Sequence, residues 1–231
     1  MKYIISLLAG IIAGVLLFVI GLAYNPFVNS STLSPLATTD ARTLTYTFSA
    51  VPTDSVVFTN DGESRTPTYP EKVQQLWEAP ISQTTAMATV LNDSRNQAAG
   101  FGIKFSSVSE QTRLFEGKAL VDSVWFVYLP GRGTLFIEQT ENYWAYLRDI
   151  VLPAYRSSSG TWKGIWTGVI TAGPGELSMA RVIGGSGEFE GMTMHGVESL
   201  SVRTWRDTSG LLAAEGQLTI ELPENYAGNR Q

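Results

Sequence analysis

The sequence predicts an all-β domain with one short helical insertion, preceded by a single N-terminal transmembrane helix. Three observations predict it. An uncharged apolar run stands near the N-terminus, apolar and polar residues alternate with period two from Arg42 onward, and glycine-rich turns punctuate the alternating segments. Eight or nine short strands at this spacing form either a barrel or a sandwich. Closing a barrel would remove the exposed sheet edges.

Residues 4–23 read IISLLAGIIAGVLLFVIGLA, without charge or proline. Twenty helical residues reach about 30 Å, the thickness of a bilayer's hydrocarbon core. A buried core helix would show a polar face, and this run has none. A cleaved signal peptide has a shorter apolar region, although Gly21, Leu22 and Ala23 could serve as a small-residue cleavage site. The length therefore predicts an uncleaved anchor over residues 1–24. Lys2 is the sole basic residue before Arg42, which keeps the short N-terminus cytoplasmic and exports the bulk of the chain. The expected location is the plasma (inner) membrane, single-pass, with the β domain on the periplasmic or extracytoplasmic side. A GxxxG pattern, Gly10 to Gly14, lies inside the span. Such patterns are common in apolar helices, so helix pairing does not follow from it.

Residues 25–41 carry Pro26, Pro35 and a run of Ser, Thr and Asn without apolar period, which reads as a linker. The β domain then occupies residues 42–231. The 231-residue chain has a formal net charge of −5 and no basic cluster, which argues against a nucleic-acid partner. With no cysteine and one histidine, a disulfide framework and a zinc site of usual composition are both excluded, and no cofactor or metal is expected.

The first strand alternates cleanly: Leu44, Tyr46 and Phe48 on one face, Thr and Ser on the other. Ala99, Phe101, Ile103 and Phe105 repeat the pattern against Gly100, Gly102 and Lys104, which predicts an apolar inner face of odd-numbered residues. Further strands are expected near 86–92, 118–129, 133–140, 162–171, 176–183, 197–205 and 212–222. Two stretches look helical, 69–77 and 141–154, the second rich in Tyr and Trp.

The glycines at 184, 185 and 187 are expected to make a tight turn between neighbouring strands, with Gly191 as a bulge or corner. A phosphate-binding loop is excluded because no Lys followed by Ser or Thr completes it. The stretch Gly184-Gly185-Ser186-Gly187-x-Phe189-Glu190-Gly191 resembles the corresponding turn of the allene oxide cyclase family, and dirigent proteins carry a looser version. The resemblance implies an antiparallel eight-stranded barrel with a hydrophobic cavity, often trimeric. Allene oxide cyclases close an oxygenated fatty-acid ring, and dirigent proteins steer phenoxy-radical coupling. That family places a glutamate near the start of its barrel, whereas TLTYTFSAV here holds no acid, so the resemblance supplies a scaffold and no catalytic residue. Residues 141–160 form an insertion beyond the family's usual barrel.

Candidate chemistry comes from ionisable residues that share strand parity with apolar ones. Asp122 falls with Leu120, Val124 and Phe126; Arg181 with Leu177, Met179 and Ile183; Glu198 with Leu200 and Val202; Glu138 with Phe136. An acid lining an apolar cavity has a raised pKa and suits general acid–base work. Asp122 and Glu198 are the candidate acids, and Arg181 the orienting cation. The structural alternative is that Arg181 simply pairs with Glu198 or Asp122. His195 has outward parity. Tyr46, Phe48, Phe101, Phe126 and Trp166 are the expected ligand-facing aromatics. Two functions from different classes follow. The first is a membrane-anchored barrel that binds a lipid- or isoprenoid-like molecule, as a cyclase or isomerase if it is an enzyme. The second is a non-catalytic accessory subunit packed on a membrane complex. A homotrimer and a membrane-complex partner are the assemblies left open.

Overall fold

A computed structural model describes residues 2–23, 42–51, 56–59, 84–223 and 226. The expected linker at 25–41 and helix at 69–77 lie outside the described residues. The N-terminal helix α1 (Lys2–Ala23) presents its apolar side chains outward from Tyr3 to Ile20, and it is long and apolar enough to cross a membrane.

The rest is mostly antiparallel sheet. Its strands are β1 (Thr43–Ser49), β2 (Val56–Thr59), β3 (Thr85–Asn92), β4 (Ala98–Val108), β5 (Leu120–Leu129), β6 (Gly133–Asn142), β7 (Thr161–Val169), β8 (Ala180–Gly187), β9 (Thr193–Arg206) and β10 (Gly210–Glu221). Neighbours run β1-β10-β9-β8-β6-β5-β4-β3, and the pair Thr47↔Asn92 joins β3 back to β1, so eight strands form a ring. β2 lies along β3, and β7 lies along β9. The long strand β9 changes partners on one edge: residues 193–196 pair with β8 and residues 199–206 with β7. Glu198 sits at that changeover.

Strand parity sorts side chains between the inside and outside of the ring. Tyr46 and Phe48 of β1 point in, as the alternation predicts, and Phe48 meets Trp125 edge-on at 5.0 Å between ring centres. Leu91, Val127, Leu135, Ile137, Val182 and Phe189 complete this half of the core. A second buried cluster joins Ile150 and Ala154 to Leu200, Val202 and Trp205. It seats the helical insertion, which runs as α2 (Trp144–Tyr146), one π-helical turn (Leu147–Val151) and α3 (Leu152–Arg156).

Strand β4 reverses the expectation from its apolar pattern. Gly100, Gly102 and Lys104 face inward, and Phe101 and Phe105 face outward, at 41% and 48% exposure. The reason is volume. A Cβ on Gly102 would lie 2.8 Å from the Trp125 ring, so the large inward tryptophan of β5 demands glycine beside it. Apolarity alone does not register that demand.

The glycine cluster is also placed differently. Residues 184–187 belong to β8, and the reversal occupies residues 188–191. A Cβ at Gly184 would overlap the Phe189 carbonyl, so glycine is needed there to let the reversal fold closely back onto β8, and not for a positive φ of its own. Gly191, at φ +73°, supplies the left-handed residue of the reversal itself.

Candidate functional site

One end of the ring interior carries a buried polar cluster. β4 contributes Lys104, β5 Ser123 and Trp125, β6 Gln139 and Glu141, the segment after β7 Thr171, and β9 Glu198. Cross-strand register creates the group, because Lys104 is opposite Trp125 and Ser123 is opposite Gln139. Inward parity of β6 then carries the row on to Glu141.

The side chains of Lys104, Glu141 and Glu198 are 7%, 0% and 4% exposed. The Lys104 ammonium donates to Glu141 Oε1 at 2.6 Å and to Glu198 Oε1 and Oε2 at 2.8 and 3.0 Å. Trp125 Nε1 donates to Glu198 Oε2 at 2.9 Å. The Gln139 amide nitrogen donates to Glu141 Oε1 at 2.8 Å and also to Glu198 Oε2. Ser123 donates to Glu141 Oε1, and the Tyr143 hydroxyl donates to Glu141 Oε2 at 2.6 Å. Thr171 Oγ1 accepts the Glu198 backbone N–H at 2.7 Å and donates to Gln139 Oε1 at 2.9 Å. Thus a hydroxyl caps the backbone where β9 changes partners.

Two carboxyls against one ammonium give the cluster an odd charge count, and low surroundings polarity makes that costly. Burial pushes the Glu198 carboxyl up; Lys104 draws it back, Glu141 adds to the rise, and the net direction is upward. For Lys104, burial lowers the pKa but the two carboxylates outweigh it and raise the ammonium above its usual value. Burial, reinforced by Glu141 and Glu198, holds the Tyr143 phenol well above its ordinary pKa. Tyr143 is the partly exposed member of the cluster, and its ring stands 6.0 Å from that of Tyr146, which stands 6.1 Å from Trp166.

Of the residues singled out from the sequence, Glu198 is inside the ring and central to this cluster. Asp122 is outside, where it accepts from Thr140 Oγ1 at 2.8 Å beside a depression of about 300 Å³. Arg181 is also outside and pairs with Glu138 at 3.0 Å, instead of with Glu198 or Asp122. His195 is half-buried, with Nδ1 enclosed. Phe101 and Phe126 lie on the outer face; Phe126 packs on Phe136 at 5.3 Å. Tyr46 and Phe48 are interior. Tyr46 lines a mouth of about 410 Å³ at the opposite end, where Arg132 donates to its hydroxyl at 3.1 Å and clamps Glu188 and Tyr226. Trp166 is half-buried under the insertion and donates to Asp149 at 3.3 Å.

Sequence reasoning missed Lys104, Gln139 and Glu141. A signal existed for two of them: Gln139 and Glu141 share odd parity with Leu135 and Ile137, as Glu198 shares even parity with Leu200.

No protein-family profile matches the chain, and no curated protein matches it. Among solved structures it is similar to a nonspecific heme-binding cyclase that catalyses a (4 + 2) cycloaddition during neoabyssomicin biosynthesis. That match has 9% identity and a TM-score of 0.39, over 91% of this chain and 82% of the other. It is likewise similar to the Diels Alderase AbmU from Streptomyces koyangensis, at 8% identity and a TM-score of 0.39, over 91% and 83% of the two chains.

Proposed function

We propose that this chain is a membrane-tethered β-barrel protein that takes an apolar, lipid- or isoprenoid-like molecule and moves a proton on it, in a cyclisation or isomerisation. The observation that supports the reading is the convergence of Lys104, Glu141 and Glu198, all under 10% exposed, inside a ring whose other buried residues are mostly apolar. A buried ion group adds little to stability compared with apolar packing, so its presence at one enclosed end favours a chemical task. Tyr143 is the contact with the ligand: its hydroxyl oxygen accepts a proton from the ligand as its own O–H proton passes to Glu141 Oε2, and the reverse transfer returns a proton to the ligand. Glu141 takes or returns the proton behind it. Lys104 holds Glu141 in place and balances its charge, and Glu198 anchors Lys104 and Gln139 from the other side.

The test is native mass spectrometry of the detergent-purified protein after incubation with polyisoprenoid and oxygenated fatty-acid pools. Wild type should retain and convert a ligand, Glu141→Gln should retain it unchanged, and Tyr143→Phe should convert it at least tenfold more slowly. Failure of every form to retain an apolar molecule would reject the reading.

The accessory-subunit reading draws on a different observation. Outward residues of neighbouring strands form continuous apolar rows, Val90-Phe101-Tyr128 and Ile103-Phe126-Phe136-Ile183, across the register of β3 to β8. A contiguous apolar face of this kind suits a protein partner.

A further inference from the structure

We propose that the tip of the β4–β5 connection dips into the bilayer that α1 is built to cross, so that the cluster-bearing end of the ring stands against the lipid surface. The tip is a single 3-10 turn, Leu114–Glu116, and it exposes Leu114 at 47% and Phe115 at 65%; Val108 below it is 60% exposed. Isolated exposed apolar residues are ordinary. Here two adjacent ones are held outward by a stiff base. Arg113 and Lys118 form an antiparallel bridge, Gly117 closes the turn at φ +70°, and Thr112 Oγ1 exchanges two 3.0 Å hydrogen bonds with the Leu120 backbone. Arg113 and Lys118 flank the apolar pair; Lys118 offsets the charge of Glu116 in the turn at 2.8 Å, and Arg113 is the cation placed to meet the phosphates above the hydrocarbon.

The occupant is identified by the chain's own span. The ring of Phe115 packs on that of Phe18 in α1, 5.1 Å between centres. Phe18 precedes the last helical residue, Ala23, by five positions, which is about 7.5 Å of helix. Interfacial apolar groups insert about 5–10 Å. With the C-terminal end of α1 at the membrane surface, Phe115 reaches that depth beside it. The same connection is bonded to the insertion: Asn142 Nδ2 donates to the Gly117 carbonyl at 3.0 Å, and the Tyr143 N–H donates to the Ala119 carbonyl at 2.9 Å. A tip set in lipid therefore brings Tyr143 next to the membrane. The inference depends on α1 remaining attached and not on any proton chemistry.

The chain has no cysteine, so single labels can be placed directly. Full-length Leu114→Cys, Phe115→Cys and Asn96→Cys, each carrying an NBD fluorophore, would be reconstituted into phosphatidylcholine vesicles with phosphatidylglycerol. Asn96 lies in the β3–β4 turn at the opposite end of β4. At 114 and 115 we expect blue-shifted emission, at least twofold quenching by lipids spin-labelled near the top of the acyl chain, and protection from aqueous iodide. At 96 we expect the reverse. Leu114→Cys leaves Phe115 in place, so loss of the aromatic contact cannot by itself produce a negative result. Iodide quenching at 114 and 115 without spin-label quenching would overturn the proposal.

Discussion

Lys104 and Glu141 meet at 2.6 Å inside the ring although they stand on strands that are not neighbours, with β5 between them. Lys104 has to extend past Trp125, over whose ring its ammonium passes at 5.4 Å, to reach the carboxylate. This lysine is the sole cation facing two buried carboxyls among the described residues. Lys104→Met should therefore destabilise the fold by about 3–5 kcal/mol at neutral pH, the cost of leaving buried charge unpaired. The deficit should shrink as pH falls and Glu198, whose pKa is raised by burial, protonates, which chemical denaturation at pH 4.5 and 7.5 would measure.

Glu198 gives a pH signature of the opposite sense to an ordinary paired carboxylate. Its folded pKa is raised, so its contribution is greatest below the unfolded value of about 4.3 and declines as pH rises through the higher folded value. Wild type should lose this increment as pH rises above about 4.3. In Glu198→Gln that part of the slope should vanish, and a double comparison of unfolding free energies across the interval would reveal it.

At alkaline pH, the aromatic insertion should report itself. Burial raises the Tyr146 phenol to about 12, partly offset by a hydrogen bond from Trp205. A raised folded pKa favours the neutral phenol, so this stabilisation is complete below pH ~10 and is lost as pH climbs toward the folded value. Tyr146→Phe should unfold less steeply than wild type between pH 10 and 12.

The insertion itself behaves as a plug. Trp144 is 7% exposed, and Ile150 and Ala154 are fully buried against β9. Trp144→Ala should cost about 3–5 kcal/mol and lower the melting temperature markedly. An unchanged melting temperature would mean that the segment docks elsewhere.

Gly184 and Gly191 separate the two uses of glycine. Alanine at 184 would collide with backbone, and we expect a loss of about 3 kcal/mol or more. Alanine at 191 meets open space but retains a positive φ, for a loss of about 1–2 kcal/mol. Thermal unfolding of both variants would rank them.

Strand alternation was enough to read the sheet, its antiparallel course and the inward face of β1, because Leu44, Tyr46 and Phe48 differ plainly from their Thr and Ser neighbours. It misread β4, where both faces carry a reason to be apolar or small. The outward phenylalanines belong to an exposed patch, and the inward glycines make room for Trp125. Glu198 was legible from its parity with Leu200 and Val202. Its partners were not, because Lys104, Glu141 and Glu198 come from separate strands and only the closed ring brings them together. Asp122 and Arg181 shared a face with apolar residues as expected, but that face is the outside.

The changeover on β9 has a consequence for how this chain can vary. Two half-length strands, β8 and β7, act there as one full edge, spliced at Glu198. Everything between the end of β6 and the end of β7 is therefore a cassette, attached to the frame along half of one strand, by Ile150 and Ala154 packed against β9, and by the bonds of Tyr143 to Ala119 and Glu141. Away from the buried Trp144, Ile150 and Ala154, its length and composition can change while the pairings of the other strands stay as they are. The fixed carboxylate would remain at the splice, and a new cassette would present it with a different cover.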